Sequence, residues 1–275
     1  MDKSVLIWWS ALIIITIANV LAWIYSAIIV QRRKAHLSIT DYILTRRILI
    51  LAGVYVVSCG IRAVMPRIDA QRISLFDHWL SSILVGRTIA TIAELCFIAQ
   101  WVLLLQAIGA HRNDVLVTRL SYWLLPLIFI AEIFSWSAVV STFNFGHVIE
   151  ESLWVLSAGL VLICFLKLHV NSSKRQKNYF TILMLCTVGY MLFMVSVDIP
   201  MYFSRWQADI ESNHHTLSFI DGFHDLSNRW VVIRNWKTWR AEVPWMTLYY
   251  SVAVWTSIAL THVPSMREFR RVDSD

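Results

Sequence analysis

The chain has 275 residues, of which 57% are apolar and 15% charged, with a mean hydropathy of +0.59. An ordinary soluble domain carries about a quarter charged residues, so this balance argues against one and points to the bilayer. The formal net charge of +6 is not gathered on a soluble basic face, which argues against nucleic acid as a partner. Cys59, Cys96, Cys164 and Cys186 all fall inside apolar runs and form no C-x-x-C. They read as small buried hydrophobes, not as a disulfide framework or a metal motif.

The first apolar run, Val5–Val30, is too long for the core of a signal peptide. Asp2 and Lys3 cancel before it, so it reads as a retained first helix. Six further runs follow at Ile48–Met65, Ile83–Ala110, Leu120–Thr142, His147–His169, Tyr179–Phe203 and Val243–His262. Each approaches or exceeds the roughly 20 residues that cross about 30 Å of hydrocarbon. The expectation is an all-α, polytopic integral membrane protein, a single seven-transmembrane-helix bundle over residues 1–275.

Basic residues set the orientation. One set of connectors holds Arg32, Arg33, Lys34, Arg46, Arg47, Arg112, Arg119, Lys167, Lys174, Arg175 and Lys177, and the tail adds Arg267, Arg270 and Arg271. The opposite side has ten against these fourteen, five of them in its longest connector. The N-terminus is therefore expected outside and the C-terminus in the cytoplasm, in a plasma or inner membrane. Asn171-Ser172-Ser173 matches a glycosylation sequon on the wrong side for this topology.

The outer connectors carry most of the polar sequence. Residues 66–82 hold Pro66, Asp69, Asp77 and His78. Residues 204–242 hold Trp206, Trp230, Trp236 and Trp239 and offer a docking surface for a membrane-protein partner. Leu226, Trp230 and Ile233 recur at helical spacing, which predicts a short amphipathic helix in the interface.

Three acids stand alone inside apolar runs. Glu94 is the only formal charge from Thr88 to His111, Glu132 the only one from Leu120 to Ile149, and Asp198 the only one between Lys177 and Arg205. A carboxyl group at membrane depth is costly unless it meets a partner, a wet cavity or a proton path. Glu94 lies about 17 Å from the outer end of its helix at 1.5 Å per residue, with Arg87 two turns earlier on the same face. Arg62, Glu150 and Glu151 also fall in the outer half. Asp198 is followed by Pro200, which removes a backbone hydrogen bond and is expected to kink or unwind the helix beside the acid. An outward-opening polar cavity accommodates all of these charges. Asp198, Glu94 and Glu132 are the candidate catalytic groups, and Arg62, Arg87, Glu150 and Trp154 the candidate substrate-binding groups. The competing reading makes the same residues structural ion pairs.

The remaining tryptophans read mainly as an interfacial belt, with Trp101 and Trp154 deep enough to line a pocket. No metal or cofactor is expected. The outer stretch His214, His215, Asp221, His224 and Asp225 matches no zinc spacing, and no histidine pair suits a haem within one helix. A retinal Schiff base needs a lysine in the last span, and none lies between Glu242 and Arg267. A ceramidase-type H-x-x-x-H is absent there too, since only His262 is present. Two function classes remain. One is an intramembrane enzyme using general acid/base chemistry on a lipid or isoprenoid, with a lipid-like or small-molecule ligand. The other is a proton- or cation-coupled transporter or channel, a ligand-binding receptor, or a subunit of a larger membrane complex.

Overall fold

Six helices are long and apolar enough to cross a membrane: Lys3–Arg33, Ile39–Val64, Ile83–His111, Val115–Ser141, Phe145–Val170 and Lys174–Glu211. The structure is a computed structural model that describes residues 1–170 and 172–269. Asn171 of the sequon, and Arg270 and Arg271 of the basic tail, lie outside the described residues. The first five helices are α1 to α5. The sixth rod is α6 (Lys174–Phe193), a π turn at Met194–Asp198, and α7 (Ile199–Glu211). The chain is a multi-pass helical membrane protein.

Helices α2, α3 and α4 start where a short polar side chain satisfies the first free N–H groups. Ser38 accepts from the Asp41 N–H, Ser82 from Val85, and Asp114 from Leu116 and Val117. The tight turn after α4 is closed by Thr142, whose φ of 61° is left-handed. Short connectors and direct packing of α1 on α2, α2 on α3, α3 on α4 and α4 on α5 make neighbours antiparallel. The outward faces are apolar: Ile14, Leu21, Ile133, Leu185 and Leu192 are all exposed. In the sixth rod only 11% of the most apolar window is buried. Such a surface is stable against lipid tails and unstable in water.

The core is divided. One cluster, away from the N-terminal end, joins α2 to α6 through Ile48, Ile98, Trp101, Leu104, Phe165 and Phe180. A second cluster, at the end carrying the N-terminus, joins α1 and α2 to the last helical segments through Trp8, Leu12, Tyr55, Trp239 and Tyr250. Those last segments are α10 (Val243–Leu248), a π turn at Tyr249–Ala253, α11 (Val254–Ala259) and a 3-10 turn at Leu260–His262. They follow one another without a break and lie against α1 and α2. Polar bonds fix them there: Asn19 donates to the Tyr250 carbonyl at 2.8 Å, Gln100 to Ser257 Oγ at 2.8 Å, and His262 Nε2 lies 2.8 Å from Ser26 Oγ.

The two long connectors meet in a small cap at the N-terminal end of the molecule. β1 (Arg67–Ile68) pairs antiparallel with β2 (Ile73–Ser74), and β3 (Val231–Val232) pairs parallel with β2. The Trp236 N–H donates to Asp2 Oδ2 at 2.6 Å, tying the N-terminus into the same cap. The amphipathic helix expected around Leu226 is α8 (Phe219–Asn228), but Trp230 and Ile233 fall beyond its end. Pairing of Val231–Val232 with β2 draws the chain out of helix at that point. Of the four connector tryptophans, Trp239 (in α9, Trp236–Trp239) is fully buried against Trp8, with ring centroids 5.7 Å apart. The helix break expected at Pro200 takes another form. Pro200 sits in the first turn of α7, where its missing N–H costs least, and the irregularity is the π turn just before it.

Gly222 brings α8 against α4 so closely that a Cβ there would lie 2.2 Å from the Val140 carbonyl oxygen. Gly222→Ala is expected to cost about 1–3 kcal/mol by overpacking and to loosen the cap. Limited proteolysis in detergent should then cut between residues 212 and 218 faster than in the parent, and an unchanged cutting rate contradicts this docking.

Candidate functional site

In the half of the bundle nearer the cap, the helical period places Arg87, Thr91 and Glu94 on one face of α3 at i, i+4 and i+7. Antiparallel packing sets Glu132 of α4 opposite them, and the first turns of α5 add His147 and Glu150. All except Thr91 and Trp136, which are partly buried, are buried. Arg87 is the hub. Its Nη2 lies 2.7 Å from Glu132 Oε2, 3.3 Å from Glu150 Oε1 and 3.4 Å from Glu94 Oε2. One guanidinium nitrogen therefore serves carboxylates from three helices.

Each carboxylate has further partners. The Thr91 hydroxyl donates to Glu132 Oε2 at 2.5 Å and accepts from Trp136 Nε1 at 3.0 Å. His147 Nδ1 lies 2.7 Å from Glu150 Oε2, and its ring lies 4.7 Å from that of Tyr202 on α7. The Tyr249 hydroxyl donates to Glu94 Oε1 at 3.2 Å from the π turn of the last helical rod. Arg62 Nη1 stands 3.9 Å from the same oxygen, and its guanidinium lies 5.1 Å from the Tyr249 ring centre. Three carboxylates thus face two guanidinium groups and one imidazole. Such burial is costly for each charge and is offset only while the partners remain together.

The candidate residues fall into two groups. Arg62, Arg87, Glu94, Glu132 and Glu150 come together. Glu132, which has no basic residue on its own helix near it, receives its partner from α3. Asp198 is not bonded to Arg87. It is buried in the π turn of the sixth rod, where Glu150, Glu242 and Arg205 are the charges that act on it. Glu151 faces Asp198 and Glu150 from α5. Arg205 and Glu242 are ion-paired, and Glu242 Oε2 also accepts from Trp245 Nε1 at 2.6 Å. Trp154, one turn beyond Glu150 on α5, packs against the apolar cluster that contains Trp101.

Thr91, Trp136 and Tyr249 escaped the sequence reading. Thr91 was legible in principle, one turn from both Arg87 and Glu94, whereas Tyr249 requires knowing that the last rod lies beside α3. His147 carried the signal of an i, i+3 pair with Glu150.

Among the described residues, Glu94, Glu132 and Glu150 form the one group with metal-ligand geometry, their carboxylate oxygens lying within 4.8 Å of one another. Arg87 Nη2 occupies the place where they converge. Glu132 Oε1 and Arg87 Nε are buried there without a hydrogen-bond partner. The arrangement can hold a proton shared among acids, or exchange one through His147 and Tyr249. The chain matches no family model, and no curated protein or solved structure is detectably similar to it.

Removing the hub leaves three buried acids facing one another. Arg87→Met is expected to cost about 3–5 kcal/mol, read as a lower unfolding temperature in detergent. Adding Glu132→Gln should recover part of that loss. Equal stability of the single and double variants contradicts the hub assignment.

Proposed function

We propose that this chain is a proton-coupled membrane protein of seven spans, with Val243–His262 as the seventh, its N-terminus outside and its C-terminus in the cytoplasm. The carboxylate cluster is its working part and exchanges protons with the outer side. The observation that supports this reading is the convergence of three carboxylates on one guanidinium nitrogen. Three acids and one arginine cannot remain fully charged together in a low-dielectric interior without a further positive charge. Arg62, at 3.9 Å from Glu94, supplies one such charge, and the remainder falls to a proton held by the acids. Titratable groups that share charge in this way change protonation together.

Two irregular helices flank the cluster. One π turn carries Asp198 and the other carries Tyr249, and π turns inside helices occur frequently at functional sites. A rod whose hydrogen bonding can shift by one residue gives the acids two settings, as alternating access requires.

A lipid-directed enzyme is the second reading, favoured by Asp198. This acid lies on the rod whose apolar window is only 11% buried, beside the exposed Val195 and Val197. A lipid-like substrate can approach it from the bilayer, with Glu151 as the second carboxyl group of an acid/base pair.

Reconstituted vesicles with an internal pH dye separate the two. Proton entry driven by an imposed gradient is expected for the parent protein and is expected to fall at least about tenfold in Glu94→Gln and Glu132→Gln, with folding intact. No proton entry above empty vesicles, together with modification of added lipid abolished by Asp198→Asn, would establish the enzyme instead.

A further inference from the structure

Arg67 lies just beyond the end of α2 and is buried beneath the outer cap, with 4% of its surface exposed. Its Nη1 donates to two carbonyl oxygens, those of Leu80 at 3.0 Å and Ser82 at 2.9 Å. These bonds hold the side chain flat across the start of α3. Gly86 permits that course, since a Cβ there would lie 2.3 Å from Arg67 Nη1 and 2.4 Å from its Cδ. The other edge of the guanidinium is unused: Nε and Nη2 are both buried without a hydrogen-bond partner. That edge is the fork with which arginine grips an oxyanion through two parallel N–H bonds. A buried donor left unmade costs about 1–3 kcal/mol, and here two lie side by side on one rigid, anchored group.

A second buried arginine, Arg62, acts electrostatically on Arg67. It presents Nη1 with no hydrogen bond and only the long 3.9 Å approach to Glu94. The acid that acts on both arginines is Asp69. Asp69 does not fill the fork, for its own Oδ1 is likewise buried without a partner. Arg62 also answers Glu94 at 3.9 Å, so the charge and the open Nε–Nη2 fork that suit an oxyanion are chiefly those of Arg67. The site lies at the outer end of α2, the level of lipid headgroups.

We infer that Arg67, through its Nε–Nη2 edge, and Arg62, through Nη1, bind a phosphate group beneath the outer cap. Arg67 is the specificity residue, and Gly86 is the position that lets it lie in place. This site shares Arg62 with the carboxylate cluster, but its fork belongs to Arg67 and it does not depend on the proton-coupled reading. The phosphate can be that of an anionic lipid headgroup or a free phosphate, and both offer the oxygen pair that the fork matches.

The test measures the unfolding temperature of the full-length protein in maltoside detergent as inorganic phosphate replaces chloride at constant ionic strength. In parallel, native mass spectrometry follows lipids retained from nanodiscs of phosphatidylglycerol and a neutral glycolipid. Saturable stabilisation by phosphate identifies the free anion, and selective retention of phosphatidylglycerol identifies the headgroup; either supports the site. Arg67→Lys keeps the charge and can still reach the Leu80 and Ser82 carbonyls but lacks the fork, and Gly86→Ala displaces an intact Arg67. Both are expected to weaken the observed binding at least about tenfold. The parent protein alone can overturn the proposal, by showing neither saturable phosphate stabilisation nor selective lipid retention. Equal binding by the parent and both variants overturns it as well.

Discussion

A guanidinium group cannot be buried in a membrane protein without anions to meet it, and Arg87 is buried. Its three carboxylates come from α3, α4 and α5, so this one side chain fixes how those helices are rotated about their axes. A turn of α4 that removed Glu132 from Arg87 would leave both charged groups buried and unpaired, at a cost of several kcal/mol. Apolar packing between helices gives little rotational preference when lipid on the outside is equally apolar. The polar cluster therefore supplies the register that the hydrophobic effect cannot.

The same requirement explains the divided core. Apolar clusters at the end away from the cap and around the last helical segments leave the cap-side half of α3, α4 and α5 to the charges. Over this region lies the cap built from both long connectors and the N-terminus. The cap has its own buried arginines: Arg72 donates to Asp225 at 2.7 Å, joining the β1–β2 turn to α8 across 153 residues of sequence. Charge is thus distributed in two layers, a cluster within the bundle and a set of arginines beneath the cap, with Arg62 at the boundary.

Much of this was legible in the sequence for one reason: solitary charges in apolar runs are rare enough to mark themselves. Glu94 and Glu132 stand out in that way, Arg87, Arg62 and Glu150 by their depth near helix ends, and the structure brings the five together. The bonds themselves were not legible, because the partner of Glu132 depends on how α3 is turned against α4. Asp198 stood out just as clearly in sequence but lies one layer away from Arg87, since the π turn and the position of α7 set its direction. The cap was hidden further. Strands of two residues leave no periodicity, and Arg67 looked like one more basic residue at a helix end. Its significance lies in an unfilled edge, which only three-dimensional placement reveals.

The central claim is that the surplus of buried acid around Arg87 is balanced by protons. Infrared difference spectroscopy of the protein in lipid at neutral pH, comparing light and heavy water, reads this directly. The account predicts a carboxylic acid C=O band that shifts on deuteration and disappears in Glu94→Gln or Glu132→Gln. A spectrum showing only ionised carboxylates, unchanged by either substitution, would contradict it.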